Sequence, residues 1–182
     1  MNDPSDSTSW HHAPPHRFPP DQTYMVTGST WQKARLFHGP ARLALLCSVL
    51  LTRAHDLGWI LHAWAVLENH YHFIGTSPGR ANALKELVSS VHTLTASGIN
   101  RLDQTPGRQV WFQFWDTCLT YPASYYARLN YVMNNPVKHG VVKNAGDYPY
   151  GSAGWFEAGA TAAYARRVRS YRGDRLNLLD DF

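Results

Sequence analysis

A chain of 182 residues that is 44% hydrophobic and only 16% charged has the length for one domain with a sizeable core, and its composition excludes a disordered or fibrous protein. Lys and Arg exceed Asp and Glu by four and the pI is about 9.2, a balance that suits a polyanionic partner without requiring one. Two cysteines, Cys47 and Cys118, are too few for a disulfide framework or a zinc quartet, and no run of about 18 apolar residues is present to span a bilayer.

Residues 1–20, rich in Ser, Asp, Pro and His, read as a disordered tail, with His11, His12 and His16 solvated rather than gathered round a metal. This polar, acidic start is not a signal peptide, so a cytoplasmic protein with two buried, reduced thiols is expected. A strand is predicted at Tyr24–Thr27, ending at Gly28. Pro40 then opens a helix over Ala41–Leu57, with Leu43, Leu46, Leu50 and Leu51 at helical spacing and Gly58 closing it. Trp59–Leu67 and His70–Gly75 read as a hairpin turning at Glu68-Asn69. Leu84, Leu87, Val88, Val91 and Leu94 mark a second helix over Ala81–Asn100, and Val110–Trp115 a fourth strand. A third helix is expected over Ser124–Asn135, capped near Ala123 or Ser124 and stopped by Pro136.

This order predicts an α+β fold: a ferredoxin-like (RRM-like) βαββαβ antiparallel sheet with an additional C-terminal helix. In such a sheet the helices cover one face and leave the other available. The expected organisation is a tail over 1–20, one domain over 21–156 and an Arg-rich tail or helix over 157–182.

Two constellations carry possible chemistry. In His70-Tyr71-His72 the imidazoles lie two apart on a strand, hence on one face, where they can share a divalent metal or simply be satisfied by hydrogen bonds. In the third helix Tyr131 and Asn135 are i and i+4, again on one face, able to approach a metal-bound phosphate together or to serve as packing residue and C-cap. Lys138 and His139 follow as phosphate contacts or as ordinary solvent-facing groups.

Four segments resemble one family. Ala63-Trp64-Ala65-Val66-Leu67-Glu68-Asn69-His70-Tyr71-His72 resembles the strand leading into an HUH pair, U being hydrophobic. Asn100-Arg101, followed by Val110-Trp111-Phe112-Gln113-Phe114-Trp115-Asp116, is similar to the stretch before that family's catalytic helix. Tyr131-Val132-Met133-Asn134-Asn135-Pro136-Val137-Lys138-His139-Gly140 looks like the tyrosine helix, and Asp147-Tyr148-Pro149-Tyr150-Gly151-Ser152 like a short Asp-aromatic-Pro-aromatic-Ser segment. Their order and spacing resemble the single-tyrosine HUH transposases, most closely the REP-associated tyrosine transposases. Glu68 stands where the family has Pro, and Thr117–Leu119 lacks a basic residue often found there.

The resemblance implies that Tyr131 attacks a DNA phosphodiester, leaving a 5′-phosphotyrosine and a free 3′-hydroxyl. A divalent metal, Mg or Mn, on His70 and His72 would activate the phosphate, with Asn135 the candidate third ligand. The implied substrate is single-stranded or hairpin DNA, with Lys138, His139, Arg101 and Arg108 as candidate phosphate contacts, and Lys85 and Lys143 further along the surface. Monomer and homodimer both remain open. The competing reading is a non-catalytic nucleic-acid-binding module on the same sheet. A histidine-triad hydrolase would need a third alternate histidine, and position 74 is Ile.

Overall fold

Strand alternation decides the architecture. The computed structural model describes residues 21–172; the expected tail with its three histidines, and residues 173–182, lie outside the described residues. The strands are β1 (Thr23–Thr30), β2 (Ile60–Val66), β3 (His70–Thr76) and β4 (Trp111–Cys118), and the helices α1 (Pro40–Asp56), α2 (Ala83–Leu102), α3 (Pro122–Lys138), α4 (Ala153–Gly159) and α5 (Ala162–Ser170). The sheet order is β2-β3-β1-β4 with every neighbouring pair antiparallel, the ferredoxin-like arrangement the sequence predicts.

One face of the sheet carries α1 and α2. Gly39 (φ +89°) leads into Pro40 at the first helical position, and Leu43, Leu46, Cys47, Leu50 and Ala54 form the buried stripe of α1. In α2 the stripe is Leu84, Leu87, Val88, Val91, Thr95 and Ile99. Both pack on Tyr24, Val26, Tyr71, Phe73 and Trp111, where full burial of each large side chain is worth about 1.5–3 kcal/mol. Gly28 is required here, because a Cβ would sit 2.5 Å from the Tyr71 ring. Polar groups on this face pair with each other. The Tyr71 hydroxyl and His92 Nε2 share a hydrogen bond at 3.0 Å, and Trp111 Nε1 donates to Thr95 Oγ1 at 3.0 Å.

The other face is not left available as expected. It is covered by α3, α4 and α5 through a second core of Met25, Ala63, Ala65, Ile74, Leu129, Val132, Met133, Phe156 and Val168. The Arg-rich segment contributes α5, which buries Val168 fully. The expected boundary at 156 falls inside α4.

Pro136 does not stop the third helix. It lies inside α3, two residues before the end, and His139 is the C-cap, donating its N–H to the Asn135 carbonyl at 3.1 Å. A proline so late in a helix removes one backbone donor, and few turns remain for its kink to displace. At the other end Tyr121 is the N-cap and Pro122 the first helical residue, so the helix starts before Ser124. Both cysteines are free; Cys47 is buried, with burial pushing its thiol up to about 11, whereas Cys118 is only half-buried.

Candidate active site

Period-two alternation sends Tyr71 and Phe73 to the α1/α2 face and His70, His72 and Ile74 to the α3 face. Both imidazoles are 1% exposed, with ring centroids 5.1 Å apart. Each is held through Nδ1: His70 to Asn69 Oδ1 at 2.8 Å and His72 to Thr27 Oγ1 at 2.7 Å. Fixing Nδ1 leaves Nε2 as the atom of each ring for a ligand, the usual outer-shell support of a metal-binding histidine.

The middle and last turns of α3 face them. The Tyr131 ring packs edge-on to His72 at 5.6 Å, and Asn135 Oδ1 lies 3.3 Å from His70 Nε2. Asn135 is fully buried and Tyr131 is 7% exposed. Lys138 Nζ stands 5.1 Å from the Tyr131 ring centroid, a cation–π contact, and the His139 ring is 4.9 Å from His70. A cavity of about 510 Å³ opens beside His70 and His139, with Lys33, Arg35, Glu68 and Asn69 on its walls. Glu68 is hydrogen-bonded to His38 Nδ1 at 2.7 Å and lies 3.7 Å from Arg35 at the rim.

This donor set fits a divalent cation. With Asn69 taking the Nδ1 proton of His70, Nε2 turns a lone pair toward Asn135 Oδ1, itself an acceptor. Both atoms, 3.3 Å apart, carry lone pairs of the kind a divalent cation would take. Among the described residues no group of three or more His, Cys, Asp or Glu is placed to hold a metal; the side chains gathered here are two imidazoles and a carboxamide.

Three other tyrosines near the motifs are placed differently. Tyr71 points into the opposite core, where full burial drives its hydroxyl far above the ordinary phenol range. Tyr125 binds His62 Nδ1 at 2.9 Å near the start of α3, and burial raises its pKa too. Tyr126 stacks on Tyr171 at 5.2 Å. Of these four tyrosines, Tyr131 is the one that lies against the histidine pair.

Of the expected phosphate contacts, Lys138 and His139 are at the site. Arg101 and Arg108 are not: they lie with α2, and Arg108 is tied to Asp103 at 2.7 Å and Asn100 at 3.0 Å. The same Asp103 takes Arg42, and these two guanidinium groups hold its carboxyl below the usual range. Sequence reasoning assigned no role to Thr27 or Asn69. Asn69 was legible as a polar neighbour of His70, but Thr27 meets His72 only through the β1–β3 register.

No protein-family model matches the chain. A curated protein of Escherichia coli (strain K12), the REP-associated tyrosine transposase, is 25% identical over 142 residues, covering 70% of this chain and 78% of that protein. A solved structure of a REP-associated tyrosine transposase bound to a REP hairpin shares the fold, with a TM-score of 0.63 and 21% identity over 94% of this chain and 95% of that one. Sequence similarity and fold therefore meet in relatives of the kind that the motifs resemble.

Proposed function

We propose that this chain is a tyrosine transposase of the REP-associated kind, a metal-dependent endonuclease that cuts and rejoins single-stranded DNA beside a hairpin. The observation that carries this reading is the meeting of Tyr131 with His72, at 5.6 Å between ring centroids, across two elements remote in sequence.

His70, His72 and Asn135 would hold the metal. A divalent ion there, Mg or Mn, supplies Lewis-acid polarisation of the scissile phosphate, with Mn the better match to imidazole. Thr27 and Asn69 keep both imidazoles oriented through Nδ1. Tyr131 provides the nucleophile. Its Oη forms a bond to phosphorus as the bond from phosphorus to the 3′-oxygen breaks; the phenol proton is lost and the departing oxygen ends as a 3′-hydroxyl. An ordinary phenol with pKa about 10 is a weak nucleophile at neutral pH, so a nearby cation is needed. Lys138 over the Tyr131 ring adds positive potential where phenolate character develops. The phosphotyrosine keeps the bond energy of the cut ester, so a second 3′-hydroxyl can reverse the step and join a new strand.

The test is a labelled hairpin with a single-stranded extension, incubated with protein and Mn²⁺ and separated under denaturing conditions. A covalent adduct is expected from the native chain and none from Tyr131→Phe, which keeps the ring and loses only the attacking oxygen. An adduct on Tyr131→Phe would remove Tyr131 from the role. Absence of adduct on every DNA tried would favour a binding module without catalysis.

A further inference from the structure

A row of side chains crosses the α3 face of the sheet at the level of the site. Ala65 pairs with His72, His72 with Thr27, and Thr27 with Trp115 on β4. Strands are spaced about 4.8 Å apart, so Trp115 stands about 10 Å from His72 on the same face. The second core draws on β2, β3 and the start of β1, whereas β4, the edge strand, keeps Phe112, Gln113, Trp115 and Thr117 exposed.

Three aromatic rings are joined there. Trp31, Phe112 and Trp115 are 37%, 40% and 38% exposed. Trp31 meets Phe112 at 5.5 Å and Phe112 meets Trp115 at 6.2 Å between centroids. The strip is continuous with positive charge: Trp31 begins the 3-10 turn that ends at Lys33, and Lys33 and Arg35 wall the cavity beside His70 and His139. The three rings pack on one another yet each keeps more than a third of its surface in solvent, and aromatic faces beside cations are what stacked bases and their phosphates require.

We infer that Trp31, Phe112 and Trp115 form a stacking platform for unpaired bases of a DNA strand whose neighbouring phosphate lies at His70, His72 and Tyr131. This rests on the reading of the site as a single-strand nuclease and adds where the strand runs: from the site across Thr27 to the β4 edge. Stacking is tolerant of base identity, so the platform supplies affinity and direction rather than sequence readout. A duplex, whose bases are already stacked and paired, gains nothing from it.

The experiment uses the full chain carrying Tyr131→Phe, so that binding is read without cleavage. Affinity is measured for a hairpin with a single-stranded extension, for the same DNA with abasic positions in the extension, and for a blunt duplex. Trp115→Ala is expected to weaken binding of the extended hairpin by about 5- to 150-fold and to leave the duplex unchanged, and Trp31→Ala and Phe112→Ala to act in the same direction. Trp115→Phe should restore most of the loss and Trp115→Lys should not, which separates stacking from charge. On abasic DNA the Trp115→Ala loss should disappear. Melting temperatures of all variants are recorded; a stably folded Trp115→Ala that binds every DNA like its parent overturns the platform. An equal loss on duplex and extended DNA overturns it too. The nuclease reading is judged separately, by the adduct formed on native Tyr131: platform effects without an adduct would leave a binding module, and an adduct without platform effects a nuclease that guides its strand elsewhere.

Discussion

The two faces of one sheet use the same strand for opposite ends. Along β3, Tyr71 and Phe73 enter a core under α1 and α2, while His70 and His72 enter the space under α3. On the first face two polar pairs close on themselves, Tyr71 with His92 and Trp111 with Thr95. On the second face two imidazoles, a carboxamide and a phenol are drawn together with their partners placed behind them, at Thr27 and Asn69. Pairing offsets the desolvation cost of a polar group, whereas gathering titratable and polar groups at one point brings together the side chains that chemistry needs. The lesson is that burial alone does not separate structure from chemistry; the direction in which each buried group spends its hydrogen bonds does.

That contrast can be broken most sharply at the histidines. His70→Ala and His72→Ala are each expected to eliminate DNA cleavage and to lower Mn²⁺ affinity in calorimetry. Unchanged metal affinity in both would make the second face as purely structural as the first.

The reverse outcome is expected on the first face. Phe73→Ala, fully buried against Trp59 and Tyr71, should cost about 3–5 kcal/mol in denaturant unfolding while leaving Mn²⁺ affinity of the folded protein intact. A selective loss of metal binding at preserved stability would dissolve the division between the faces.

His92 sharpens the comparison through pH. Its ring stacks on Trp111 at 4.4 Å, and burial lowers its pKa to about 4. The unfolded chain binds a proton as pH falls through about 6.5, and the folded chain does not until about 4. Stability from this group is therefore complete above pH 6.5, falls from there to about pH 4, and is level below, by up to about 3 kcal/mol in all, an upper bound for a half-buried ring. Urea melts across that window should flatten in His92→Gln; an unchanged slope would place the titration elsewhere.

Asn135 gives the smallest expected effect. Asn135→Ala should slow cleavage with partial rescue at high Mn²⁺, and Asn135→Asp should keep or tighten metal binding. A rate loss indifferent to Mn²⁺ would remove Asn135 from the metal site. The C-cap explanation is already gone, since His139 holds that position.

Much of this division was legible in the chain. Period two put His70 and His72 on one face, and period 3.6 put Tyr131 and Asn135 on another, so the four residues were named before any fold was known. The βαββαβ order followed from the same periodicities. What escaped depends on pairing between distant segments. Thr27 reaches His72 through strand register, which no local pattern encodes. The α4 and α5 helices are short and rich in Ala, Gly and Arg, so their burial rests on a few anchors such as Phe156 and Val168. Pro136 misled because a proline near a C-terminus costs far less than one at mid-helix.

After α3 the chain returns to the outer edge of the sheet. Tyr148 donates its hydroxyl to the Val66 carbonyl at 2.6 Å, Ser152 Oγ accepts from Trp64 N at 2.9 Å, and Gly151 forms an antiparallel bridge with Ala65. These bonds occupy the groups through which the Trp64–Val66 end of β2 would otherwise recruit a foreign strand, in the way that a sealed selvedge keeps cloth from being sewn onward. β4 is the other margin of the sheet. It is also the margin bearing Phe112 and Trp115, so a second chain docking there by backbone pairing would compete for the ground on which a nucleic-acid strand is proposed to lie.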